Sequence, residues 1–64
     1  MSTHAELSSA STLLEELLAR LRGIEEDMTA LERDRLANEL WEVERSLGAA
    51  RRRLAKLVEV SGLP

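Results

Sequence analysis

Between Leu36 and Leu57 the apolar residues fall at Leu36, Leu40, Val43, Leu47, Ala50, Leu54 and Leu57, in alternating steps of four and three. Such steps average close to the 3.6-residue turn of an α-helix, so the set lies along one side of a helix; a strand, with its period of two, would scatter it over both faces. A helix striped in this way needs another helix against it. The stripe specifies packing and says little about chemistry, because it carries no nucleophile, metal-ligand cluster or phosphate loop.

An earlier stretch has a similar pattern. Ala10, Leu13, Leu14, Leu17, Leu18, Leu21 and Ile24 form a wide apolar face of the kind seen in globular bundles, wider than a strict two-stranded coiled coil requires. The 13 Leu and 8 Ala that supply both faces are good helix formers, and Trp41 is the only aromatic residue, so an all-α fold is expected.

Punctuation divides the two faces. Thr12-Leu13-Leu14-Glu15 has capping-box spacing, as does Thr3-His4-Ala5-Glu6, and the later site is favoured because residues 1–11 are rich in Ser and Thr and weakly periodic. Arg20 and Arg22 suit a helix C-terminus, and Gly23 stands where a glycine would end it. Thr29-Ala30-Leu31-Glu32, preceded by acidic Glu25, Glu26 and Asp27, marks a second start, and Ser61-Gly62-Leu63-Pro64 marks a stop.

The expected architecture is therefore a helical hairpin, with a short helix over about 12–22 and a long one over about 28–60. Residues 1–11 form a frayed or partly helical lead, 12–60 the hairpin or coiled-coil domain, and 61–64 a tail. One long bent helix is the alternative, because Leu7, Ala10, Leu14, Leu17, Leu21, Ile24, Met28 and Leu31 keep the alternation across the proposed turn.

A chain of 64 residues buries only about 60% of its unfolded surface, and with no Cys and one His neither disulfides nor a zinc site can reinforce it. Oligomerisation is the remaining device. A turn near residue 26 would set Leu14 beside Asn38 and Leu7 beside Arg45, leaving Leu47, Ala50, Leu54, Leu57 and Val58 without cover from their own chain. Charge points the same way: residues 1–32 hold seven acids and two Arg, residues 33–64 five acids and seven bases. A homodimeric four-helix bundle or antiparallel coiled coil would satisfy both conditions, with Leu36, Leu40, Val43, Leu47, Ala50, Leu54 and Leu57 as its self-association residues.

Trp41 is expected to widen the core or cap an intersubunit groove, and Arg51, Arg52, Arg53 and Lys56 to form a solvated end complementing the helix dipole; the alternatives are a hot spot for a different protein at Trp41 and an acidic protein partner for the basic residues. Three consecutive helical positions fan over about 200°, no aromatic accompanies them, and the net charge is −3, all of which argue against nucleic acid. Gly48 within the second stripe suggests a close approach between helices, and Asn38 is expected to face solvent.

No apolar run approaches the roughly 18 residues of a membrane span, and the first residues lack the basic and apolar regions of a signal peptide. A cytoplasmic location is expected. No activated nucleophile, paired acid and base, or Glu-x-x-His metal pattern is present in the sequence, so the expectation is a non-enzymatic, cofactor-free helical interaction module, an adaptor or regulator. The alternatives are a nucleic-acid-associated regulator using the basic end and a scaffolding coiled coil.

Overall fold

The computed structural model describes residues 2–64 and contains two helices packed against each other as an antiparallel hairpin. Helix α1 runs Thr3–Glu26 and α2 runs Ala30–Ser61. The single continuous helix is therefore excluded: at Asp27 to Thr29 the chain turns back.

Helix α1 is much longer than the sequence suggests. Neither expected capping box starts it; Ser2 is the N-cap, its Oγ accepting the Ala5 amide at 3.1 Å. Residues 3–11 thus belong to the helix, and only Met1 of the N-terminal segment lies outside the described residues. At Thr12 the hydroxyl donates to the Ser8 carbonyl at 3.3 Å, a back-bond within a continuing helix. Gly23 does not terminate α1 either. It has no left-handed backbone, and the helix runs one more turn to Glu26, where the Asp27 amide bonds the carbonyls of Gly23 and Ile24.

The start of α2 follows its sequence signal. The Glu32 amide donates to Thr29 Oγ1 at 3.2 Å and the Thr29 amide donates to Glu32 Oε1 at 2.9 Å, a reciprocal capping box worth about 1 kcal/mol. The bond from the Thr29 amide foremost, and then hydrogen bonding from the Thr29 side chain, hold the Glu32 carboxyl below its usual pKa range.

The register is anchored at the open end. His4 Nδ1 lies 2.9 Å from Ser61 Oγ, and the Ser61 hydroxyl donates to the Val58 carbonyl at 2.8 Å, which makes the His4 ring nitrogen the donor to Ser61. Equal rises on two antiparallel helices then bring Leu7 level with Val58, Leu14 with Arg51, Leu18 with Leu47, Leu21 with Glu44 and Glu25 with Leu40. Burial follows the same register, for every one of these residues is partly or fully covered.

This register corrects the expected overhang. Leu47, Leu54 and Val58 are partly covered within the hairpin, because the added N-terminal turns of α1 reach them. It is the other end of α2, residues 30–38, that projects beyond α1, by roughly two and a half turns. Arg33 reaches back from this projection, Nη2 donating to the Glu26 carbonyl at 3.4 Å.

Candidate interaction face

Burial sorts the seam-side residues of each helix into three columns of seven-residue spacing. The inner columns, Ser11, Leu18 and Glu25 on α1 and Ala37, Glu44, Arg51 and Val58 on α2, face the other helix. Beside them run Leu7, Leu14 and Leu21 on α1, Met28 in the turn that continues their line, and Leu40, Leu47, Leu54 and Ser61 on α2, all half-buried. A third, open pair of columns holds Ala10, Leu17 and Ile24 on α1 and Leu36, Val43, Ala50 and Leu57 on α2, all exposed.

The seven residues of the expected seam are thus divided. Leu40, Leu47 and Leu54 touch the hairpin's own interface, while Leu36, Val43, Ala50 and Leu57 lie outside it. On both helices the apolar stripe is the middle column plus the open one, and the inner columns are mixed, with Glu25, Glu44 and Arg51 between the helices. Each stripe is turned partly away from the partner helix that its own chain supplies.

Because the helices are antiparallel, the same sense of rotation on each carries both open columns to one side of the hairpin. Their large members, Leu17, Ile24, Leu36, Val43 and Leu57, are between 44% and 51% exposed, and exposed Leu13 and Val60 border them. Among the described residues only Leu18 is buried, at 3%. The chain therefore presents a continuous apolar strip on one face and leaves its core almost empty.

The opposite side is polar on α1, with Ser8, Glu15 and Arg22, and mixed on α2, with Asp34, Trp41, Gly48 and Ala55. Trp41 is 59% exposed, and the guanidinium of Arg45, one turn on, lies 5.5 Å from the ring centroid in a cation–π contact. Trp41 thus stands away from the apolar strip and does not widen the intrachain core. Gly48 has no close approach to α1: a Cβ there would meet only Arg52 Nη1, at 3.8 Å. The helix passes through Gly48 unbroken, and Asn38 is exposed.

The basic residues are divided between the seam and solvent. Arg51 is half-buried in the inner column, lining a recess with Glu15, Leu18 and Arg22, whereas Arg52, Arg53 and Lys56 are exposed and neighbour one another on the outer side of α2. Glu15 and Arg51, from the acidic and the basic parts of the chain, line the same recess within one hairpin.

The Glu44 carboxyl, in the inner column, has its pKa pushed up. Desolvation is the main cause, followed by a hydrogen bond with Glu25 and that group's charge; Arg22 opposes them. Sequence periodicity could not have marked Glu25, Glu44 or Arg51 as seam residues, since it tracks apolar positions only. Among the described residues no group of three or more His, Asp or Glu could hold a metal ion, and no helix is long and apolar enough to cross a membrane. The chain matches no family model, no curated protein and no solved structure.

Proposed function

We propose that this chain is a small non-enzymatic helical interaction module that pairs with a second copy of itself through the strip formed by Ala10, Leu17, Ile24, Leu36, Val43, Ala50 and Leu57. One observation carries the reading: on both helices the centre of the apolar stripe points between the chain's own second helix and open solvent. A helix with one neighbour centres its stripe on that neighbour, whereas a helix in a four-helix bundle has two neighbours and centres its stripe on the bundle axis between them. The hairpin supplies the first neighbour and another hairpin would supply the second.

Magnitudes support this. Burying a large aliphatic side chain contributes about 1.5–3 kcal/mol, and each of the five large strip residues has about half of its surface still to bury. Two copies together would gain roughly 8–15 kcal/mol before the cost of association, which is of similar order. The hairpin measures 51 × 17 × 12 Å, so its broad side has room for the roughly 800 Å² per partner of a standard interface.

Sedimentation equilibrium of the full chain from one to several hundred micromolar tests the proposal. The expected result is a reversible dimer, with a thermal midpoint that rises with concentration. A monomer at all concentrations, with a constant midpoint, would refute it.

A further inference from the structure

We infer that the second copy lies reversed end for end, so that α2 packs on α2 and α1 on α1, with the two turns at opposite ends of the bundle. This rests on the self-association proposed above and adds the arrangement. Two face-to-face pairings are compatible with a two-fold axis. With the turns together, each α2 lies on the other copy's α1; with the turns apart, like helices pair antiparallel.

The overhang of α2 decides between them. Leu36 stands on the strip but is level with position 29 of the first helix, past the end of α1 at Glu26. In the turns-together pairing, the α1 of the second copy ends at that same level and Leu36 of both copies stays exposed. In the reversed pairing, α2 meets the full length of another α2. Leu36 then falls level with Leu57 of the second copy, Val43 with Ala50 and Leu57 with Leu36, so the open column is complementary to its own reverse. On α1 the same operation sets Leu17 level with Arg20 and Ile24 level with Leu13 of the second copy.

Charge along the border of the strip agrees. Beyond the open column of α2 lie Glu39 toward the turn and Arg53 toward the open end. Reversal brings Glu39 level with Arg53 of the second copy, twice per dimer. The turns-together pairing sets Glu39 beside Asp27 instead, two acids. Reversal leaves Glu6 and Asp27 of the other copy about 6 Å apart in level, a like-charge pair, but both residues are exposed at the ends of the strip, where water screens them.

Two measurements test the arrangement. The chain has no Cys, so a spin label on Glu59→Cys reports one distance between copies. Reversal separates the labels by about 40 Å, from 1.5 Å per residue along α2, whereas the turns-together pairing holds them within about 25 Å. Separately, Glu39→Lys should weaken the dimer roughly tenfold and adding Arg53→Glu should restore it, since two border pairs are reversed and then remade. A dimer with the short distance, or one that Glu39→Lys tightens, would overturn the reversed arrangement and leave self-association standing. A chain that is monomeric throughout would remove both.

Discussion

Replacing Leu36 and Leu57 together by Ala tests the strip where it is least supported by its own chain. Both residues are about half exposed, 51% and 50%, so each has roughly half of a leucine's burial energy left to gain from a partner. Truncation to Ala removes most of that remainder, about 0.7–1.2 kcal/mol per residue, and the double variant loses it at four positions in a symmetric dimer. The sum of about 3–5 kcal/mol corresponds to a dissociation constant raised by roughly two to three and a half orders of magnitude. Sedimentation equilibrium reads this directly, and circular dichroism at high concentration checks that the helices persist. Trp41→Ala is the matched control, because it removes a larger side chain, 59% exposed, from the opposite face. Its dissociation constant should stay within about twofold of the parent, as surface changes away from a contact are usually within ±0.5 kcal/mol. If the leucine pair leaves dimerisation unchanged, or Trp41→Ala weakens it more, the strip is not the interface.

Thr29→Ala removes the hydroxyl half of the capping box and should cost about 1 kcal/mol, lowering the thermal midpoint by several degrees at fixed concentration. Glu44→Gln should stabilise the chain at pH 7: a carboxyl with a raised folded pKa contributes fully below its ordinary value of 4.5, and the contribution is lost as pH rises through the raised one, so variant and parent converge near pH 4.5 in urea melts. Glu32→Gln should do the opposite, because the lowered pKa of Glu32 gives stability present above 4.5 and lost as pH falls through the folded value; the variant is less stable at pH 7 and the gap closes in acid. Replacing Arg52, Arg53 and Lys56 with Gln should leave gel-shift behaviour unchanged, since three exposed cations on a net acidic chain are expected to bind no DNA; a salt-sensitive, micromolar shift by the parent that the variant loses would overturn this.

Element type and the α2 start were legible in the sequence because each rests on local chemistry. Leucine spacing gives helices without regard to tertiary context, and the Thr29 to Glu32 capping box is closed within four residues. The start of α1 was not, for a related reason: Thr3 and Thr12 both carry capping spacing, yet Ser2 takes the cap, and once the helix runs from there Thr12 is interior and bonds back to Ser8. Gly23 misled because a glycine ends a helix only where a left-handed residue is used, and the backbone here stays right-handed through it. The register was least legible. It depends on a contact between the two chain ends, His4 with Ser61, and on inner columns that mix Leu18 with Glu25, Glu44 and Arg51, none of which a hydrophobic period distinguishes. With the register hidden, apolar spacing points to an overhang at the wrong end of α2, although it sets Leu36 and Leu57 on the stripe that the fold leaves open.

The polar inner columns bear on how folding and pairing are linked. A hairpin seam that includes two half-buried glutamates and an arginine is weaker than one built from the open columns would be, because desolvated charges offset much of what Leu18 and its half-covered neighbours contribute. Had each helix turned its apolar stripe squarely onto the other, the monomer would be firmer and would have no strip left to offer. The arrangement seen keeps Leu14, Leu21, Leu40, Leu47 and Leu54 half-covered, available to be completed from the strip side. On the proposed pairing the second copy therefore buries the open columns and also finishes the middle ones, so part of the folding free energy arrives only with the dimer. Strengthening the seam should uncouple the two. Glu44→Gln, which relieves the inner column without touching the strip, should raise the midpoint most at low concentration and so flatten its concentration dependence at neutral pH, whereas Leu36→Ala with Leu57→Ala should flatten it by lowering the midpoint at high concentration. If Glu44→Gln instead raised the midpoint equally at every concentration, hairpin formation and pairing would be a single step, with no folded monomer between them.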